Sequence, residues 1–275
     1  MMKVLYHKNC LDGLGAAYAV WHRYGNVPEY IPVAYGEEPP DVTDHDVIIV
    51  DFSYKREILI DMHTKAKSLL VLDHHKTAQE DLEGLSFAQF DMEMSGAAMA
   101  WDYFHPGKKR PYVIDIIQDR DLWTFKYPET RDLTAALYAR FKEGISLIRR
   151  AANADQEGLK VLIEQGAVLN KVFDDEVEQF IEYPTLIELC GIKGLVVNAP
   201  GRFASETGHH LAEQGGTFGG IFFWSGKQNV WAFSIRSVKG GNVDVSAIAK
   251  HFGGGGHFNA AGFSLTPEQF NAVMR

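Results

Sequence analysis

Two short, wholly apolar runs, Val47-Ile48-Ile49-Val50 and Leu69-Leu70-Val71-Leu72, each lead straight into an aspartate, Asp51 and Asp73. Runs this short with no polar interruption suit strands covered on both faces, and the helical stretch at 54–67 between them makes a βαβ unit with parallel strands. Val4-Leu5-Tyr6 ahead of His7 predicts another such strand, and Leu11 to Arg23 the helix after it. In parallel sheets flanked by helices, ligands gather beyond the carboxyl ends of the strands. His7, Asp51 and Asp73 all fall at that edge.

Further along, Ser95 to Phe104 predicts a helix with a serine cap, Tyr112 to Asp119 another, and a mixed helical stretch follows Trp123. From about Asp155 to Tyr183 the apolar spacing is that of one long, charged helix, ended by Pro184. Strands are predicted at Leu186–Leu189, Gly194–Asn198, Gly219–Trp224 and Val230–Ile235, with a helix at Phe203–Glu213 and a glycine-rich segment at Gly253–Gly262. The expected organisation is α/β throughout. A parallel-sheet catalytic domain at 1–153 is followed by a linker helix at 154–185 and a smaller α/β substrate-binding domain at 186–275, with the active site in the cleft between the two domains.

Hydrophobic residues make up 46% of the chain, enough for a real core, yet no uninterrupted run is long enough to span a bilayer. The N-terminal residues turn polar too early for a secretory signal. The two cysteines, Cys10 and Cys190, lie far apart and outside any CxxC pattern. A reducing, cytoplasmic setting without membrane association is therefore expected. The net charge of -9 disfavours a protein that coats long duplexes, which relies on a broad basic surface. It is compatible with a short phosphorylated substrate and with carboxylates that hold divalent cations. A homodimer is left open.

Four segments carry the chemistry. In Asp73-His74-His75, adjacent histidines on extended backbone point opposite ways, so one can ligate a metal while the other faces substrate, and the aspartate can orient the ligating imidazole. Taken alone, the triplet reads equally well as a polar loop. Asp51 alone reads as a helix cap, Asp12 as a first-turn helix acid, and Gln118-Asp119-Arg120-Asp121 as a self-paired charge cluster. Together they bring oxygen and imidazole donors to one sheet edge. That mixture suits two divalent cations, Mn²⁺ before Mg²⁺ or Co²⁺, acting on a phosphoryl group.

The Asp73-His74-His75 triplet after an apolar strand, with the other acid segments in this order, resembles the DHH phosphoesterase superfamily. Gly253-Gly254-Gly255-Gly256-His257-Phe258-Asn259-Ala260-Ala261-Gly262 resembles the GGGH-x-x-AAG signature of the C-terminal domain often attached to it. The likeness spans essentially the whole chain and points to the branch with RecJ-type exonucleases, nanoRNases and cyclic-dinucleotide phosphodiesterases. It implies that Asp51 bridges two ions, that His7 belongs to one, and that Asp12, His74 and Asp119 belong to the other, with Asp121 as second choice to Asp119. His75 would face the scissile phosphate and Asp73 would support the histidine pair. One position departs from the family: Asp12 matches the second acid of the first motif, but Cys10 stands where the first should be, so the His7 ion lacks a carboxylate unless Asn9 or Cys10 replaces it.

In the C-terminal domain, Gly254, Gly255 and Gly256 would bring backbone amides to an anion, with His257 and Asn259 as further donors and Arg236 on a non-scissile phosphate. Ser95-Gly96 reads as a helix N-terminus facing phosphate or as a plain cap. Trp123, Trp224 and Trp231 read as core residues before base-stacking ones. The implied activity is metal-dependent hydrolysis of phosphodiester or phosphomonoester bonds in short oligonucleotides or related nucleotides. The alternatives are a small-nucleotide phosphatase, a cyclic-dinucleotide phosphodiesterase, or a nucleotide-binding regulator without turnover.

Overall fold

In the computed structural model, which describes residues 1–274, the apolar runs become the middle of a five-stranded, wholly parallel sheet. Its elements in chain order are β1 (Met2–His7), α1 (Leu11–Tyr24), β2 (Glu29–Val33), β3 (Asp46–Val50), α2 (Arg56–Lys65), β4 (Ser68–Asp73), α3 (Lys76–Asp81) and β5 (Ala88–Phe90). Five more helices follow: α4 (Gly96–Phe104), α5 (Tyr112–Asp121), α6 (Thr130–Ala139), α7 (Ile145–Ala152) and α8 (Gln156–Ile181).

Successive side chains of a strand point to opposite faces, and the core divides accordingly. Val4, Ile48, Val50 and Leu72 pack on one face with α1, α4, α5 and α7. Their neighbours Leu5, Val47, Ile49 and Val71 pack on the other with Phe52, Tyr54, Leu59 and Met62. A continuous apolar run was needed because neither face meets water. Small residues of α1 (Ala16, Ala17, Ala19) and α4 (Ala97, Ala98, Ala100) are fully buried, which lets these two helices approach closely.

The strand order is β2-β1-β3-β4-β5. The chain moves outward from β1 to β2, then returns to the far side of β1 to lay down β3. The order therefore reverses between β1 and β3, and a crevice opens at their carboxyl ends. His7 ends β1 and Asp51 follows β3, so these two residues flank the reversal; Asp73 ends β4 next to it.

Two of the five strands were not predicted. β2 carries Pro32, which a central strand would exclude but an edge strand accepts, and β5 is only three residues long.

The chain divides into two compact units, Met1–Lys171 and Val172–Arg275, and the division falls inside α8. The second unit holds a six-stranded mixed sheet of order β10-β11-β9-β8-β7-β6. Its elements are β6 (Thr185–Leu189), β7 (Ile192–Asn198), α9 (Ala204–Gly215), β8 (Phe218–Ser225), β9 (Val230–Ser237), α10 (Val245–His251), β10 (Gly255–His257), β11 (Ala260–Leu265) and α11 (Pro267–Val273). Only β7 and β8 run parallel; the other neighbours are antiparallel.

Alternation again splits the core. Val196, Phe222 and Phe233 face a cluster with α10 and α11, whereas Val197, Ile221 and Phe223 face α9 and the end of α8. Trp231 stacks on Phe270 at 4.2 Å, a packing role, while Trp224 is 43% exposed. No helix among the described residues is long and apolar enough to cross a membrane.

Because Ile49 is fully buried on a central strand, Ile49→Ala should cost about 2–5 kcal/mol. Val168→Ala, at a position 68% exposed on α8, should stay within about 0.5 kcal/mol. Urea unfolding midpoints of the two variants compared with wild type check this.

Candidate metal centre

The carboxyl edge of the parallel sheet collects side chains from four segments. His74 Nε2 lies 3.1 Å from Asp51 Oδ1, 3.4 Å from Asp12 Oδ2 and 3.6 Å from Asp121 Oδ2. Asp51 also reaches the other way, its Oδ2 standing 3.6 Å from His7 Nδ1. Asp51 therefore sits between the two histidines, and Asp12, Asp51 and His74 form one potential donor group while His7, Cys10 and Asp51 form another.

The backbone makes this convergence possible at some local cost. Asp51 adopts φ of 55°, a left-handed conformation that Asp tolerates better than most residues, and its N–H donates to Leu72 O at 2.9 Å. Gly96, the first residue of α4, lies so close that a Cβ there would be 2.5 Å from the Cβ of Asp51. Gly13 stands likewise against the end of β1, where a Cβ would be 2.3 Å from His7 O. Only glycine lets both helices come this near the edge.

Asp12 joins α1 to α4. Its two oxygens accept from the N–H groups of Gly96 (2.6 Å) and Ala97 (3.0 Å), so the N-terminus of α4 is turned onto a carboxylate of the chain itself. Ser95 caps the same helix, its Oγ accepting from Ala98 N–H. Of the two readings for Ser95-Gly96, the structure shows the cap.

Asp73 is fully buried and spoken for. It accepts from Ser53 Oγ at 2.6 Å, from the backbone N–H of His74 at 2.8 Å, and its Oδ1 lies 2.7 Å from His75 Nδ1. The sequence suggested that this acid orients the ligating imidazole. In the structure it holds the ring of His75 and accepts from the backbone N–H of His74.

Asp119, expected as a ligand ahead of Asp121, is placed differently. Its oxygens accept from the hydroxyls of Thr124 and Thr130 and from the N–H groups of Lys126 (2.8 Å) and Tyr127 (3.1 Å). It braces a turn in which Trp123 and Phe125 both take positive φ, with the Arg120 guanidinium 4.4 Å from the Trp123 ring. The acid that faces the cluster is Asp121, at the last position of α5. The hydroxyls that saturate Asp119 come from Thr124 and Thr130, at separations of 5 and 11 residues that no local period marks.

The electrostatics follow from burial and crowding. Asp12 is held well above the usual carboxylate range by burial and by Asp51 and Asp121, and Asp121 is raised by burial and Asp51. Burial pushes Asp51 up too, but the neighbouring His7 and His74 imidazoles outweigh it and leave the carboxyl well below its ordinary value. For His74, burial is overcome by Asp121, Asp51 and Asp12, and the imidazole is raised well above its ordinary value. His75 is raised by Asp73 against the effect of burial. The Cys10 thiol is pushed up by burial and by Asp51, Asp121 and Asp12.

Buried acids are stable only when paired, hydrogen-bonded or bound to a cation. Asp73 and Asp119 meet that condition through hydrogen bonds. Asp51 meets it only in part: its Oδ1 lies 3.1 Å from His74 Nε2, but the residue is 1% exposed and its Oδ2 has no hydrogen-bond partner among the described residues. An orphaned oxygen within a surplus of carboxylates and imidazoles fits divalent cations.

The C-terminal candidates lie in the second unit. Gly255, Gly256 and His257 form β10, the short arm of a hairpin with β11, and Gly254 precedes it. Asn259 donates its amide to Ser237 Oγ (2.8 Å) and Val238 O (3.2 Å), which ties the hairpin to the end of β9. Arg236, on β9 opposite Ala260, donates to Ser234 Oγ, Ile235 O and Ser205 Oγ.

Comparison with known proteins is consistent with this architecture. Residues 209–275 match the model of the DHHA1 domain. Uncharacterized protein R106 of Acanthamoeba polyphaga mimivirus is 31% identical over 292 residues, covering 96% of this chain and 67% of that protein. Among solved structures, a pGpG-specific phosphodiesterase, PggH, from Vibrio cholerae is similar in fold, with a TM-score of 0.51 and 13% identity over 99% of this chain and 96% of its own. RecJ from Thermus thermophilus, solved in complex with Mn²⁺, gives a TM-score of 0.52 and 14% identity over 98% of this chain and 50% of RecJ.

The two acids of α5 should separate experimentally. Asp119→Asn should lower unfolding free energy by about 1–3 kcal/mol, because it leaves buried donors ill matched. Asp121→Asn should leave cation-free stability unchanged or higher, since it removes a like charge, yet weaken Mn²⁺ binding more than about tenfold. Urea unfolding in chelator and calorimetric Mn²⁺ titration read the two effects.

Proposed function

We propose that this chain, which carries a DHHA1 domain at residues 209–275 and resembles the DHH phosphoesterases in its sequence signatures and fold, is a metal-dependent phosphohydrolase of short oligonucleotides or related nucleotides. The observation that carries this reading is Asp51, a buried carboxylate shared between His7 and His74 with one oxygen left unpartnered. Asp51 would bridge two cations, with His7 on one side and Asp12, His74 and Asp121 on the other. Mn²⁺ is the expected metal, with Mg²⁺ or Co²⁺ able to replace it. Bound there, such ions would acidify water and offset charge on a phosphoryl group.

The remaining steps belong to the chain's own residues. Asp73 fixes the ring of His75 through Nδ1, the way a buried acid orients a general acid–base histidine, and His75 would pass a proton through Nε2 to the leaving-group oxygen. Ser53 Oγ donates to the other oxygen of Asp73 in turn, which fixes the carboxylate that holds the ring. In the DHHA1 domain, Arg236 would bind a phosphate other than the scissile one, with the backbone of Gly254, Gly255 and Gly256 and the side chain of His257 as further donors. Asn259 would serve that hairpin as a brace.

A dinucleotide is the favoured substrate size. The net charge of -9 disfavours long duplexes, and a protein of similar fold is named for cleaving pGpG. The reaction is hydrolysis of a phosphodiester to a phosphomonoester and a hydroxyl, with water as co-substrate.

With Mn²⁺ present, the protein should release mononucleotides from a linear dinucleotide or short RNA faster than from long duplex DNA. Asp51→Ala and His74→Ala should abolish turnover together with Mn²⁺ binding. His75→Ala should lower kcat by about 10²–10⁴-fold while Mn²⁺ affinity is kept. Activity on a 3′-phosphorylated adenylate or a cyclic dinucleotide alone would reassign the substrate. Tight nucleotide binding without hydrolysis across Mn²⁺, Mg²⁺ and Co²⁺ would mark a binding protein instead.

A further inference from the structure

The residue at the start of α1 is unusual for its place. Cys10 is the N-cap, with φ -123° and ψ 135°, and its side chain makes no capping hydrogen bond. Ser, Thr, Asp and Asn are preferred there because their oxygens satisfy a free N–H, and a thiol does so poorly. The thiol is buried, yet the charges it feels are those of Asp51, Asp121 and Asp12, so apolar packing does not account for it either. What the position does provide is a sulfur donor beside two others. His7, Cys10 and Asp51 each offer one ligand atom, and all three atoms lie within 4.8 Å of one another.

The second observation is independent of the cysteine. Asp51 Oδ2, buried and without a hydrogen-bond partner, is the oxygen that lies toward His7, 3.6 Å from Nδ1. His7, Cys10 and Gly13 are also mechanically linked. Leu14 N–H donates to Cys10 O at 3.1 Å, and Gly13 allows α1 to start directly against His7. The thiol is thus held near the imidazole by the way α1 begins.

We propose that His7, Cys10 and Asp51 form a thiolate-containing metal site that takes a thiophilic divalent cation such as Zn²⁺ or Co²⁺. The neighbouring oxygen-rich group of Asp12, Asp51, Asp121 and His74 takes a harder one such as Mn²⁺. This rests on the metal-centre reading above and refines it: the two halves of the centre share Asp51 but differ in softness. A sulfur–nitrogen–oxygen set selects against Mg²⁺ and Mn²⁺, which prefer oxygen, and in favour of metals that bind thiolate. Binding exchanges the thiol proton for the cation, and that proton goes to solvent.

The test uses the full-length protein stripped with chelator and titrated with Co²⁺, bound metal being counted by equilibrium dialysis and elemental analysis. A cysteine thiolate on Co²⁺ gives a near-ultraviolet charge-transfer band that imidazole and carboxylate ligands do not. Wild type and Cys190→Ser should show the band; Cys10→Ser and Cys10→Ala should lose it while still binding Co²⁺ at the oxygen-rich group. Cys10→Asp should also lose it, and its preference for Zn²⁺ over Mn²⁺ should fall by more than about tenfold. Co²⁺ bound by wild type without the band would overturn the thiolate site and leave the metal centre standing. A band that survives in Cys10→Ala would overturn it as well. No Co²⁺, Zn²⁺ or Mn²⁺ bound at all would bring down the metal-centre reading itself, and this site with it.

Discussion

Asp51 is an anion removed from water, and much of the N-terminal unit is arranged around that fact. Burying a lone carboxylate is costly, so it must be compensated by donors or positive charge. Here Leu72 O anchors its backbone, His74 and His7 approach its two oxygens, and Gly96 clears the space beside it. The reversal of strand order between β1 and β3 supplies the crevice in which this can occur. Remove the reversal and His7 and Asp51 would not flank one opening. The site is a property of topology before it is a property of any single side chain.

Four buried acids of this unit look alike in composition yet do different work. Asp73 and Asp119 are saturated by hydrogen bonds and act as braces, one for His75 and one for the turn after α5. Asp12 ties two helices while also facing His74. Asp51 keeps an oxygen unpartnered. The count of hydrogen-bond donors around each carboxylate separates structural acids from those able to hold a cation, and it assigns Asp121, partly exposed and lacking such a cage, to the second kind.

The parallel architecture and the carboxyl-edge position of His7, Asp51 and Asp73 were legible because uninterrupted apolar runs leave a strand no solvated face. The acid pair Asp119 and Asp121 was not legible. They are two residues apart near the end of a helix, and which one turns inward depends on where α5 stops and on hydroxyls at 124 and 130, facts that no local pattern states. The edge strands β2 and β5 were hidden for a related reason, since one carries a proline and the other is too short to show a period.

From sequence alone come the strand–helix alternation, the membership of four acid-bearing segments in one edge, the glycine-rich C-terminal signature and the anomaly at Cys10. These are local, one-dimensional properties: hydrophobic period, residue type and spacing. Which nitrogen meets which oxygen was decided only in three dimensions. Asp73 behind His75, Asp121 toward His74, and the sulfur of Cys10 grouped with His7 and Asp51 depend on how helices cap, where turns tighten and which glycines permit contact. Hydrogen-bond satisfaction is a contest among groups distant in sequence, and its outcome exists only once the chain is folded.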